Sequence, residues 1–165
     1  MRCYLGIGSN IEAQKHIPTV LLELSNLFNN ISLSSIYQSA PIGTVQGDDF
    51  FNLVVGFDSA LSASELINLF KQLEITHDRK QYSASKGHTL DLDLLLYGNE
   101  IITDLKIPRS DIERYAFVLA PLAEIAPNLM HPMLQVTIQS LWNNFDKTHV
   151  AQQIIKPLWL HNESN

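Results

Sequence analysis

The ten-residue run Thr89–Gly98, TLDLDLLLYG, constrains the fold more than any other stretch of the chain. Side chains alternate between the two faces of a strand, so Asp91 and Asp93 share one face while Leu90, Leu92 and Leu94 occupy the other. The long apolar continuation is typical of a central strand. Two carboxylates on one buried face need positive charge nearby. They are either salt-bridged surface aspartates or a divalent-metal site, because Mg²⁺ prefers oxygen ligands.

Composition narrows the class of protein. A chain of 165 residues, 45% of them apolar, suits one globular domain, for which we predict a core over 1–146 and a tail over 147–165. The net charge of −6 gives no support to nucleic-acid or membrane-surface binding. The single cysteine excludes an intrachain disulfide, and no signal peptide or membrane-length apolar run is found. A cytoplasmic location is therefore expected.

Hydrophobic periodicity predicts the order strand, helix, strand, strand, helix, strand. The strands are expected over 2–8, 31–39, 50–57 and within 89–98, and the helices over 17–28 and 62–77. Ser62 and Glu65 have the spacing of a capping box at the start of the second helix. This βαββαβ order is that of the ferredoxin-like α+β fold. We expect an antiparallel sheet with helices on one face and a ligand groove on the other.

The C-terminal third is predicted in less detail. A helix should follow a capping residue, Asp111, and break or kink at Pro121. A last short helix is expected over 134–145. The tail carries an apolar patch, which we interpret as an added strand, a packed arm or a partner contact.

Two polar residues occupy positions that need an explanation. Asn52 lies in an apolar strand, where a buried amide pairs either with local backbone or with a planar polar ligand stacked on Phe50. Glu74 lies near the C-terminal end of its helix, where the macrodipole disfavours an acid, which indicates a role elsewhere.

Two polar loops flank the predicted strands. The loop over 40–49 is long for a simple connection. The basic segment over 78–89 is either a solvated loop or a mobile phosphate-binding flap. A dinucleotide-binding GxGxxG motif is disfavoured, because Ile11 stands where the third glycine belongs. The histidines lack metal-ligand spacing, so surface or capping roles are expected for His16, His77, His131, His149 and His161.

Several motifs occur in order along the chain: GSN after the first strand, SIYxxxPIG, FxNLVV, TLDLDLLLYG and FVLxPLAEIAP. Together, over about residues 4–132, they resemble the 6-hydroxymethyl-7,8-dihydropterin pyrophosphokinase family of folate biosynthesis. The resemblance implies a ferredoxin-like sandwich with mobile loops over the active site. It also implies transfer of pyrophosphate from ATP to the pterin hydroxymethyl group, with release of AMP and the use of two Mg²⁺ ions.

The resemblance further implies roles for particular positions. The expected catalytic set is Arg79, His88, Asp91 and Asp93, of which the two aspartates match the metal-binding pair. The residues expected to contact the pterin are Ser39, Pro41, Ile42, Gly43, Phe50, Asn52 and Phe117. Those expected to contact ATP are Glu74, Arg79, Lys80, Lys86, Arg109, Arg114 and Tyr115. The expected partners are ATP and the pterin, and no nucleic acid or membrane partner is expected. A monomer is favoured, and a dimer is left open.

The basic residues of the family pattern are partly replaced. Gln81, His88 and Tyr115 stand where the pattern has arginine, Arg109 stands where it has histidine, and the flap tryptophan is absent. Arg114 lies one place before the position of a family arginine. Two hypotheses follow: a divergent but active enzyme with slower turnover, since arginine and histidine are not equivalent at a phosphate, or a binding or regulatory homologue. Retention of both aspartates favours the enzyme.

Overall fold

An antiparallel sheet forms the centre of the computed structural model, which describes residues 1–41, 47–78, 87–148 and 150 and the backbone of 152–155. Its strands are β1 (Arg2–Ser9), β2 (Asn29–Leu33), β3 (Ile36–Ser39), β4 (Phe50–Asp58), β5 (Asp91–Tyr97) and β6 (Gln152–Ile155). The spatial order is β5-β1-β4-β3-β6, and β2 also pairs with β4. The strand that carries the two aspartates therefore lies beside the glycine-containing β1.

Helices cover both faces of this sheet. The helices are α1 (Ala13–Leu27), α2 (Ala63–Thr76), α3 (Asp111–Arg114), α4 (Ala116–Ile125) and α5 (Ile138–Asn143), with a 3₁₀ turn over Thr103–Leu105. The first two pack against the face formed by Leu5, Leu92 and Leu94. The last three pack against the opposite face, where Val54 and Leu95 meet them.

The predicted βαββαβ order and ferredoxin-like class are confirmed. The expectation of helices on one face and a ligand groove on the other is corrected, because α3, α4 and α5 cover much of the second face and the cavity lies toward one end of it. The apolar run FVLAPLAEIA accounts for this, since eight of its side chains would otherwise expose apolar surface to water. Alternation along β5 is as predicted, with Asp91 and Asp93 on one face.

The single strand predicted over 31–39 is two strands. Between them, the backbone N–H of Val54 donates to the side-chain oxygen of Ser34 at 2.9 Å, and the backbone N–H of Ser34 donates to the Val54 carbonyl at 3.0 Å. A side chain thus takes the place of a backbone acceptor, and the regular ladder is interrupted there. Both halves still pair with β4.

The C-terminal predictions needed three corrections. Pro121 lies inside a continuous α4, and the break comes earlier, at Tyr115, whose backbone is extended. Asp111 is the first residue of α3 and follows the N-cap Ser110. The last helix is shorter than predicted. An added strand in the tail is confirmed, because β6 pairs antiparallel with β3.

The start of α2 is as predicted. The backbone N–H of Glu65 donates to Ser62 Oγ at 3.3 Å, and the Glu65 carboxylate accepts from the Ser62 N–H at 2.7 Å. Near the other end of the helix, buried Glu74 accepts a 2.8 Å hydrogen bond from the backbone N–H of Leu92. Glu74, the acid at an unfavourable helix position, therefore links α2 to the strand that carries Asp91 and Asp93.

Candidate active site

A cavity of about 370 Å³ lies between one end of the sheet and the α3–α4 segment. Its walls include residues from β1, β4 and β5, the loop before β5, and the segment around Tyr115. Nine of the predicted site residues line it: Ser39, Phe50, Asn52, His88, Asp91, Asp93, Arg109, Tyr115 and Phe117. The structure therefore brings the predicted metal, pterin and nucleotide residues into one cavity.

The floor of the cavity depends on two glycines of β1. Gly8 pairs with Asn52 of β4 on one side and with Asp91 of β5 on the other, and Gly6 pairs with Asp93. A Cβ at Gly8 would lie 2.9 Å from Asn52 Oδ1, closer than a real contact allows. The missing side chain at this position is what lets an amide and a carboxylate approach the same space.

Asp93 and Asp111 flank a single guanidinium in the cavity wall. Arg109 Nη2 lies 3.6 Å from Asp93 Oδ1 and 3.0 Å from Asp111 Oδ2. Burial lowers the pKa of Arg109, but the carboxylates of Asp93, Asp111 and Asp91 more than offset it and raise the pKa above its ordinary value. The guanidinium is therefore charged throughout the neutral pH range.

Aromatic rings stand on two sides of the cavity. Phe117 is stacked on Tyr115, with ring centroids 5.0 Å apart and planes 17° from parallel. Phe50 lies near His88, with centroids 6.4 Å apart. Asn52 donates a long, 3.4 Å hydrogen bond to Ser39 Oγ. A flat heterocycle could stack against these rings and meet the amide of Asn52 at its edge.

The GSN motif ties the loop before β5 to the end of β1. The side-chain Oδ1 of Asn10 accepts from the backbone N–H of His88 at 2.8 Å, and the backbone N–H of Asn10 donates to the His88 carbonyl at 3.0 Å. Ser9 Oγ donates to the Thr89 carbonyl at 2.6 Å. Gly87, at φ +107°, has room only for a hydrogen atom against the Asn10 amide. These contacts hold His88 at the cavity wall.

The carboxylates of Asp91 and Asp93 fit a hard divalent cation, and a cationic side chain already pairs with Asp93. Within the described ranges, no group of three or more histidine, cysteine or acidic side chains converges as a metal cage. A pair of carboxylates leaves the other coordination positions to water and phosphate oxygens, which is the usual way in which proteins bind Mg²⁺. The donor set therefore suits a metal that arrives with a phosphate substrate.

Other predicted site residues lie away from the cavity or outside the described ranges. Glu74 is buried against β5, so the ATP contact predicted for it stays a prediction. Arg114 is exposed on α3 and, like Pro41, is absent from the cavity wall. The residues that fall outside the described ranges are Ile42, Gly43, Arg79, Lys80 and Lys86.

Sequence reasoning missed one charged member of the wall and did not predict how deeply three of the histidines are buried. Asp111 lines the cavity, although it was predicted only as a helix cap. His16 and His77 are buried rather than at the surface, and their Nδ1 atoms lie 2.8 Å apart. His131 is fully buried, and its Nδ1 accepts from two backbone N–H groups, which is a capping role. His149 and His161 lie outside the described ranges.

The sequence also matches known proteins. It is 36% identical over 138 residues to a 2-amino-4-hydroxy-6-hydroxymethyldihydropteridine pyrophosphokinase of Haemophilus influenzae, with 81% of this chain and 86% of that protein covered. A Pseudomonas aeruginosa protein of the same name is 32% identical, with 79% and 84% covered. Among the described helices, none combines the length and apolar character that crossing a membrane requires.

The fold is similar to that of a solved structure, Plasmodium falciparum HPPK-DHPS with pteroate. The TM-score is 0.59 at 15% identity, over 86% of this chain, which spans 42% of the solved chain. The family model for 7,8-dihydro-6-hydroxymethylpterin-pyrophosphokinase matches residues 4–127. That range contains every residue of the cavity wall. The chain therefore belongs to the 7,8-dihydro-6-hydroxymethylpterin-pyrophosphokinase family.

Proposed function

We propose that this protein transfers pyrophosphate from ATP to the hydroxymethyl group of 6-hydroxymethyl-7,8-dihydropterin, giving AMP and the pterin diphosphate. The observation that carries the proposal is the cavity itself, which joins Asp91 and Asp93 to Phe50, Asn52 and Phe117. One part of that wall suits a metal-bound polyphosphate and the other suits a flat, polar-edged ring. Membership of the family supports the same pair of substrates.

For the nucleotide side, we propose that Asp91 and Asp93 hold two Mg²⁺ ions together with the triphosphate. When bound, the metal neutralises phosphate charge and favours an in-line geometry for transfer. His88, Arg109 and Tyr115 line the cavity beside these carboxylates and would contact phosphate or ribose oxygens. The flap residues Arg79, Lys80 and Lys86 keep their proposed phosphate-binding roles.

For the pterin side, the proposed slot lies between Phe50 and the Tyr115–Phe117 stack. Asn52 would read the edge of the ring, because its amide offers both a donor and an acceptor. Ser39, which already shares a hydrogen bond with Asn52, would fix the orientation of that amide. The acceptor is a primary alcohol, so alignment of the two substrates matters more than a strong base, and we assign no residue as the base.

The replaced arginines affect rate more than reaction type. His88 carries full charge only when protonated, whereas an arginine at that position is always charged. We therefore expect slower turnover than in relatives that keep the arginine. A single domain, a cytoplasmic location and a monomeric state remain predictions from the sequence.

The test is AMP formation from ATP, the pterin and Mg²⁺ by the wild type and by Asp91→Asn and Asp93→Asn. We expect each substitution to lower kcat at least about a hundredfold, because each removes a charged metal ligand at the transferring phosphates. Asp104→Asn, in the exposed 3₁₀ turn, is the matched control and should retain wild-type turnover. Pterin binding without any AMP formation by the wild type would instead identify a binding or regulatory homologue.

A further inference from the structure

Arg109 is held against the proposed metal ligands by contacts on several sides. Its backbone N–H donates to the Leu95 carbonyl of β5 at 3.0 Å, which places the residue beside the strand of the aspartates. Its Nη2 donates to Asp111 Oδ2 at 3.0 Å and lies 3.6 Å from Asp93 Oδ1. The side chains of Arg109 and Asp93 are each 33% exposed, so water and ligands reach the pair.

A guanidinium and a divalent cation cannot both occupy the same side of Asp93. They carry like charges, and each would lose part of the attraction of the carboxylate to the other. An arriving polyphosphate changes this competition, because its oxygens match the planar donor fork of arginine in a two-point contact. Asp111 would keep the guanidinium near the cavity wall during such an exchange.

We propose that Arg109 is an internal counter-ion for Asp93 that releases this carboxylate to the metal only when a nucleoside triphosphate offers its own oxygens in exchange. The proposal rests on the proposed function for the identity of the triphosphate. It makes Arg109 a positioning residue that couples metal binding to nucleotide binding. The coupling depends on the placement of Arg109 between Asp93 and Asp111 in this chain.

The proposal predicts that the protein without nucleotide binds a free divalent cation poorly because of Arg109. The experiment measures Mn²⁺ binding to the protein by electron paramagnetic resonance, in the absence of ATP. Arg109→Gln and Arg109→Met both remove the charge. We expect each to bind Mn²⁺ about five- to tenfold more tightly than the wild type, since a partly buried competing ion pair is lost.

Two control variants test whether the effect comes from the positive charge at position 109 itself. Arg109→Lys retains a cation at the position and should bind Mn²⁺ within about twofold of the wild type. Lys71→Gln removes one positive charge from the exposed side of α2, and it should also leave Mn²⁺ affinity within about twofold. Damage to the fold would weaken metal binding, so a tighter affinity has no trivial structural cause.

A second arm adds an unreactive methylene analogue of ATP. Because coupling is reciprocal, the analogue should raise the Mn²⁺ affinity of the wild type by a larger factor than that of Arg109→Gln. Equal factors, or charge-removing variants that bind free Mn²⁺ no more tightly than the wild type, would overturn the proposal. The first arm uses no nucleotide, so its result is independent of whether the protein catalyses transfer.

Discussion

At the scale of single residues, the site depends on one missing side chain as well as on those present. Gly8 lies between Asn52 and Asp91 in the strand register, and the space that a Cβ would fill is occupied by the Asn52 amide. The ring-binding amide and the metal-binding carboxylate can share a cavity because of this glycine. The substitution Gly8→Ala should therefore damage the pterin side of the site first.

We expect Gly8→Ala to weaken pterin binding at least about tenfold, because the added methyl would lie 2.9 Å from Asn52 Oδ1 and push the amide away. Gly6→Ala is the matched control, since the atoms nearest to its methyl would be those of the Leu95 side chain, at the ordinary contact distance of 3.4 Å or more. Titration calorimetry with the pterin measures both variants. Equal affinities for wild type and Gly8→Ala would show that Asn52 does not contact the ligand.

The residues that sequence predicted well are those whose role follows from local pattern. Alternation placed Asp91 and Asp93 on one face, and the capping-box spacing located Ser62. Asp111 and the Asn10 contacts were missed because they depend on which distant segments meet. Asn10 and His88 are hydrogen-bonded across 78 positions of sequence, and no periodicity reports such a pair.

At the scale of elements, α2 packs against β5, the strand that carries Asp91 and Asp93. Its N-terminus is fixed by the capping box, and Glu74 near its C-terminus accepts from Leu92 of β5. The Glu74–Leu92 hydrogen bond thus joins this helix to the backbone of the strand that carries Asp91 and Asp93. The stability of the helix should be separable from the chemistry of the cavity.

We expect Ser62→Ala to lower the free energy of unfolding by about 1 kcal/mol, because it removes the side-chain acceptor for the Glu65 N–H. Turnover should be unchanged, since Ser62 is not one of the residues that line the cavity. Ser64→Ala, exposed two residues later, is the control and should change stability by less than about 0.5 kcal/mol. Urea unfolding gives both values, and equal effects would contradict the capping role.

Two predicted element boundaries were wrong. In one case a side chain took the place of a backbone hydrogen-bond partner, and in the other a proline did not break the helix. Ser34 interrupts the strand predicted over 31–39 by accepting the Val54 N–H through its side chain. Pro121 removes only one helical hydrogen bond, and the buried faces of α4 keep that helix continuous. Both outcomes depend on tertiary packing, which local propensity does not contain.

At the scale of the whole molecule, two layers of helices enclose the sheet, and a buried histidine fixes the loop between α4 and α5. His131 Nδ1 accepts from the N–H groups of Met133 and Leu134 at 3.3 and 3.2 Å. The ring proton must then lie on Nε2, which is 3.7 Å from Glu113. Burial lowers the pKa of His131, and Glu113 offsets only part of this effect.

This environment predicts a stability that falls in mild acid. A lowered folded-state pKa means that the unfolded chain binds the proton more readily than the folded protein does. The contribution of His131 to the free energy of unfolding is therefore fully present above the unfolded pKa of about 6.5, and it is lost as the pH falls below that value. His131→Asn keeps an acceptor but does not titrate, and its unfolding free energy should fall less between pH 7.5 and 5.5. One histidine can change the free energy of unfolding by at most about 1.4 kcal/mol per pH unit.

Urea denaturation at several pH values measures this slope. His16, whose pKa is also lowered by burial and by His77, remains in both proteins and contributes to both slopes. The difference between wild type and His131→Asn therefore isolates His131. Parallel slopes would contradict the assignment of a neutral, doubly accepting His131 to the folded state.

The central claim is that the cavity transfers a pyrophosphoryl group rather than a single phosphoryl group. The most direct measurement is ³¹P NMR of one reaction of the wild-type protein with ATP, 6-hydroxymethyl-7,8-dihydropterin and Mg²⁺. The account predicts AMP and a pterin diphosphate in equal amounts, with no ADP. ADP with a pterin monophosphate, or unchanged ATP in the presence of bound pterin, would contradict it.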